Sequence, residues 1–108
     1  MSKSRIVITR EAELDLEGIV TYIAQKESTD RASHVFTELE NLILSLEDNA
    51  ERGHYPEELK RQGIKDYKEV NYKPYRIIYD VIGLLVIVHI CADGRRDFTS
   101  LLESRLFR

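Results

Sequence analysis

Three short runs, YKEVNY (67–72), YRIIYDV (75–81) and LLVIVHIC (84–91), follow one another with two residues between each pair. Their content of Val, Ile and Tyr reads as β-strand. A parallel crossover needs a dozen residues or more, so these strands must pair as an antiparallel meander. Lys73-Pro74 and Ile82-Gly83 supply the turns. The third run is apolar on both faces, which places it centrally and covered twice. Such a sheet needs a second layer.

The first half of the chain provides that layer. "RIVIT" (5–9) is a further short strand, and Thr9 can cap the helix that follows it. The apolar residues of this helix, Ala12, Leu16, Ile19, Val20 and Ile23, keep a helical period. Ser28, Thr29 and Asp30 cap a second helix with a stripe at Ala32, Val35, Phe36, Leu39, Leu42, Ile43 and Leu46. Asn49 and Gly53 end it. Two helices with so short a connection form an antiparallel hairpin. Residues 51–66 are polar and read as a loop with one helical turn at 56–60. Phe98, Leu101, Leu102 and Leu106 space out a short final helix. The expected fold is α+β, in the order β-α-α-β-β-β(-α). An antiparallel sheet packs against the N-terminal helical hairpin, with residues 1–108 as one domain.

Composition narrows the function classes. Apolar residues make up 43% and charged residues 32% of the 108, the profile of an ordinary soluble protein. The longest apolar run, 81–90, is broken by Gly83 and His89 and falls well short of the ~20 residues a membrane span needs. No membrane partner is expected, and the N-terminus has too short an apolar stretch for a signal peptide. Cys91 is the sole cysteine, which excludes an internal disulfide and fits a reducing cytosol. His34 and His54 lack partners at metal-ligand spacing. No glycine-rich phosphate loop and no Ser or Cys nucleophile signature is present, so neither cofactor nor metal is expected.

The net charge of −3 conceals a division. Residues 10–51 carry three bases against eleven acids, whereas residues 52–108 carry eleven bases against eight acids. An acidic helical half and a mildly basic sheet half imply a directional contact surface.

Several motifs taken in order resemble one family. They are AELDLEGIVTYI (12–23), LEDNAERG (46–53), PEEL (56–59), YKEV (67–70), PYRIIYDV (74–81) and DGRRD (93–97). Together they are similar to the RelE/ParE superfamily of type II toxin–antitoxin toxins, over roughly residues 5–107. The resemblance implies a small cytoplasmic bacterial toxin held inactive by a cognate antitoxin, as a homodimer or a toxin–antitoxin hetero-oligomer. Its two branches imply different targets. RelE-like members cut messenger RNA in the ribosomal A site, and ParE-like members poison DNA gyrase.

A RelE-like site would fall on Lys68, Arg76 and Arg96. RNA cleavage needs a proton acceptor, a proton donor and cations on the developing phosphorane. The second basic position of that pattern falls on Val70 and its C-terminal tyrosine on Leu102, which leaves Lys68 alone for two proton transfers. Glu69 and His89 could substitute, but Glu69 reads as a solvated face residue and His89 as a hydrogen-bonded core histidine. A pI near 5.6 also weighs against docking among ribosomal phosphates. The ParE-like branch is therefore favoured, with no catalytic residue. A toxin homologue that survives as an interaction module is a third reading.

The binding residues then expected are Arg76, Arg95, Arg96, Arg105, Leu106, Phe107 and Arg108. Arg76 alternates with Tyr75 and Ile77 and has a plainer role as an ion pair with Asp80 or Glu69. One of Arg95 and Arg96 is expected to pair internally, with Asp97, and the other to be exposed. Arg105, Leu106, Phe107 and Arg108 mix aromatic and guanidinium groups as interaction hot spots do. A ParD-like antitoxin whose acidic C-terminal segment wraps the sheet and the hairpin would complement the basic half.

Overall fold

A computed structural model describes residues 3–107. Strand β1 (Arg5–Ile8) leads into α1 (Arg10–Lys26) and α2 (Thr29–Leu44). Two 3-10 turns, Ser45–Glu47 and Ala50–Arg52, and a single turn α3 (Glu57–Lys60) bridge to the meander. The meander is β2 (Lys68–Tyr72), β3 (Tyr75–Ile82) and β4 (Leu85–Asp93), and α4 (Phe98–Leu106) follows.

The helix starts are set locally. Thr9 Oγ1 accepts from the Ala12 amide and Ser28 Oγ from the Arg31 amide, each satisfying a donor that the first turn leaves orphaned. Asp97 does the same for Ser100 at the start of α4. The turn between β3 and β4 is carried by Gly83 at φ +61, a left-handed conformation that glycine adopts without Cβ strain.

The sheet order is β1-β4-β3-β2. β2, β3 and β4 form the expected antiparallel meander. β1, however, joins β4 in parallel, from Arg5 opposite Leu85 to Ile8 opposite Val88, so the sheet is mixed rather than antiparallel. The hairpin of α1 and α2 is itself long enough to serve as the crossover that parallel pairing requires. β4 is central, as its two apolar faces demand.

The two faces carry separate cores. Ile77, Tyr79, Val86 and Val88 pack against Val35, Leu39 and Ile43 of α2 and Ala12 and Ile23 of α1. On the reverse face Ile78, Ile90 and Ala92 pack against Leu59 and against Phe98, Leu101 and Leu102 of α4. Tyr79 is fully buried, and its hydroxyl donates to the Ala50 carbonyl and accepts from the Gly53 amide. A Cβ at Gly53 would stand 2.5 Å from that oxygen, so the position has no room for any side chain.

A register shift at Ile78/Tyr79 makes His89 the extra residue of a β-bulge in β4. Its ring stands 2.8 Å from Asp80 and edge-on to Tyr67, and it is half-buried. His89 is thus hydrogen-bonded, as expected. Among the described residues no helix is long and apolar enough to cross a membrane.

Candidate functional site

Arg76 faces the α4 side of the sheet, where two carboxylates engage its guanidinium. Its Nη1 and Nη2 donate to the two Glu58 oxygens at 2.7 Å, and its Nε and Nη2 to the two Glu69 oxygens at 2.7 and 2.8 Å. The guanidinium also lies 3.8 Å from the centre of the Phe98 ring. Burial alone would disfavour its charge, but the hydrogen bonds it donates to Glu58 and Glu69 outweigh burial and hold it above its ordinary value. Glu58 is correspondingly held below the usual carboxylate range, chiefly by Arg76 and against its own desolvation.

The expected pairing with Glu69 is therefore present, while Asp80 instead joins His89. Glu69 corrects an expectation. It is 3% exposed rather than a solvated face residue, because Arg76 and the Asn71 amide satisfy its carboxylate. Glu58 was not legible as a partner, since it comes from the irregular segment before β2.

Lys68 stands on the other face. Cross-strand pairing sets Lys68 opposite Tyr79 and Asn71 opposite Arg76, so Lys68 shares the hairpin side with Tyr79 while Arg76 shares the reverse side with Glu69. Its ammonium lies 4.6 Å from the centre of the Tyr55 ring and 3.4 Å from Glu51.

Arg105, expected among the binding residues, is tied into the fold. Its Nη1 and Nη2 donate to the two Asp15 oxygens at 3.1 and 2.9 Å, its Nη2 also donates to the His89 carbonyl, and Glu11 lies 3.5 Å away. Leu106 is half-buried against the core beneath α4, whereas Phe107 is 48% exposed and edge-on to Tyr67. Arg108 lies outside the described residues.

The DGRRD turn does present cations. Arg95 pairs with Asp93, not Asp97, and remains on the surface. Arg96 is exposed, and among the described residues its guanidinium makes no hydrogen bond or ion pair. Gly94 donates to the Pro74 carbonyl, so the exposed Lys73 belongs to the same end of the sheet.

An apolar concavity on the helical hairpin lies apart from the residues expected to bind. Leu16, Val20 and Ala24 of α1, Ala32 and Phe36 of α2, and Ile8 of β1 line an open groove of about 690 Å³. A smaller recess of about 260 Å³ shares Ile8, Leu16 and Phe36 and continues along Ile43 and Leu44. The signal was present in the two apolar stripes, which are wider than the sheet can cover. Of the α1 stripe only Ala12 and Ile23 are buried, and Phe36 remains 39% exposed.

A family model described as "ParE toxin of type II toxin-antitoxin system, parDE" matches residues 6–98. The chain belongs to that ParE family. Among solved structures it is similar to a chain of the "Chromosomal ParDE TA system from P. aeruginosa", at 15% sequence identity and a TM-score of 0.70. That likeness covers 84% of this chain and 96% of the other, and it shows the fold. No curated protein sequence gives a significant match. As a ParE toxin, the chain is the toxin component of a type II toxin–antitoxin system.

Proposed function

We propose that this ParE-family toxin acts on DNA gyrase by binding, stabilising the cleaved DNA complex without breaking bonds itself, and that a ParD-like antitoxin silences it. One observation carries the choice against ribosome-dependent RNA cleavage. Lys68 and Arg76 lie on opposite faces of the sheet, and Arg76 is engaged by two carboxylates. Proton transfer and phosphorane stabilisation at one phosphate need those groups within a few ångströms of the same reacting atoms. The surface chemistry that remains is a cationic turn at Lys73, Arg95 and Arg96 and the apolar groove of the hairpin.

The antitoxin reading uses both features. An amphipathic helix laid into the groove would bury the open sides of Leu16, Val20 and Phe36. An acidic stretch of the same partner would meet the Lys73–Arg96 end of the sheet. The deciding experiment pairs gyrase supercoiling of plasmid DNA with a translating-ribosome cleavage assay. Loss of supercoiling with intact messenger RNA is the expected result. Messenger RNA cut in the A site while gyrase stays active would overturn the proposal.

A further inference from the structure

The hairpin groove has a polarity that its apolar lining conceals. Three carboxylates border it, Glu13 and Glu17 from α1 and Glu40 from α2, and no Lys or Arg lines either compartment. All three are exposed, and among the described residues none makes an ion pair or a hydrogen bond. Glu13 lies in the first turn of α1, where a negative charge favours the helix dipole. Glu17 and Glu40 have no such local reason. Of the cations on these helices, Arg31 is committed to Glu27. The acidic excess of the first half of the chain is thus carried in part as an uncompensated rim around an apolar floor.

We infer that this rim selects the occupant of the groove: an amphipathic segment of a partner protein whose apolar stripe is flanked by lysine or arginine. The inference rests on reading the groove as the antitoxin's seat, and it adds the charge class of the segment that sits there. The bound segment would bury its stripe against Leu16, Val20, Ala32 and Phe36 and bring its flanking cations to Glu13, Glu17 and Glu40. Apolar contact supplies most of the affinity. The charges discriminate between partners, because a segment with acidic flanks would meet three unneutralised carboxylates. The partner is therefore bipartite, with a basic-flanked helix in the groove and an acidic stretch at the Lys73–Arg96 end.

The test uses the full chain and two synthetic helical peptides that share one apolar stripe, one flanked by lysine and one by glutamate. Fluorescence anisotropy should show the lysine peptide binding about tenfold tighter at an ionic strength of about 0.01 M, where surface charges are weakly screened. The preference should vanish at about 1 M. The triple variant Glu13→Lys, Glu17→Lys, Glu40→Lys should reverse it, since all three positions are exposed. Phe36→Asp, or the milder Phe36→Ala, should weaken both peptides alike, with circular dichroism confirming an unchanged fold. Equal affinities at low salt, or a preference for glutamate flanks, would overturn the inference while Phe36 sensitivity preserved the groove reading. If neither peptide binds, or both bind regardless of Phe36, the groove reading fails and the inference fails with it.

Discussion

Arg105 and Asp15 finish the edge of β4 where β1 runs out. The last backbone contact of β1 with β4 is the Thr9 amide donating to the Val88 carbonyl. Beyond it, the His89 carbonyl accepts from Arg105 Nη2 and the Cys91 amide donates to Asp15 Oδ2, while the two side chains pair with each other at 2.9 Å. Two backbone groups that would otherwise be orphaned at a bulge are satisfied by a charge pair reaching in from α1 and α4. The same pair ties α4 to α1.

Arg105→Ala should therefore act first on stability. It strands a half-buried carboxylate and a backbone carbonyl together, and partial exposure discounts the full penalty of a broken buried pair, leaving a loss of about 2–3 kcal/mol. Urea denaturation measures the loss. A double-mutant cycle with Asp15→Ala should show coupling of about 1 kcal/mol or more. An unchanged midpoint would mean that the pair contributes nothing to holding α4.

Arg76 makes a related prediction with a different diagnostic. Arg76→Lys keeps the charge but cannot span Glu58 and Glu69 with a planar fork or lie flat on Phe98. Both Arg76→Ala and Arg76→Lys should lose stability, by about 3 kcal/mol and about 2 kcal/mol. Loss of toxicity in either variant should follow the fraction unfolded. A fully folded Arg76→Ala that is non-toxic would instead assign the guanidinium to the target contact.

Acid stability follows from Glu58. Its carboxyl is held below the ordinary 4.5, so the stability it contributes is complete above that pH and is lost as pH falls through the lower folded value. Denaturation midpoints should stay level on approaching pH 4.5 from above and fall below it. Glu58→Gln should be less stable at neutral pH but flatter in acid. An acid limb as steep as in the parent chain would move the effect to other carboxylates.

What could be read from the sequence divides by distance along the chain. Caps at Thr9 and Ser28 and the meander turns act over three or four residues, and each was visible. The Arg76–Glu69 pair was also legible, because a tight hairpin between adjacent strands fixes which residues lie diagonal to one another. Glu58 reaches Arg76 over 18 residues through an irregular segment, and Asp15 reaches Arg105 over 90. No local period constrains such contacts, so Glu58 and Asp15 leave no mark in the sequence as partners of Arg76 and Arg105. The parallel pairing of β1 was hidden for the same reason. The groove left a trace, in apolar stripes wider than one sheet face can cover.

Cys91 should be inert in the folded chain. It is 1% exposed, and burial, with a smaller effect from the Asp15 charge, pushes its thiol up to about 12. Reaction requires the thiolate, so an aromatic disulfide reagent at about pH 8 should leave the native protein unmodified and label the urea-unfolded chain at once. Native labelling at the unfolded rate would show that β4 opens beside the Arg105–Asp15 pair.

Arg96 separates binding from folding most cleanly. It is exposed, and among the described residues its guanidinium makes no hydrogen bond or ion pair, only a minor attraction to Asp97, whereas neighbouring Arg95 is neutralised by Asp93. Removing Arg96 strands nothing, so Arg96→Ala should change stability by no more than about 0.5 kcal/mol. If the cationic turn meets the target, the same substitution should abolish growth arrest in cells and relieve inhibition of gyrase supercoiling. Arg95→Ala should have the smaller effect, since part of its charge is already answered. Deleting residues 106–108 is a less clean probe, because Leu106 packs beneath α4 and its loss also costs core contact. Undiminished toxicity in Arg96→Ala, with a melting curve matching the parent, would move the target contact away from this turn and toward the exposed Phe107 beside Tyr67.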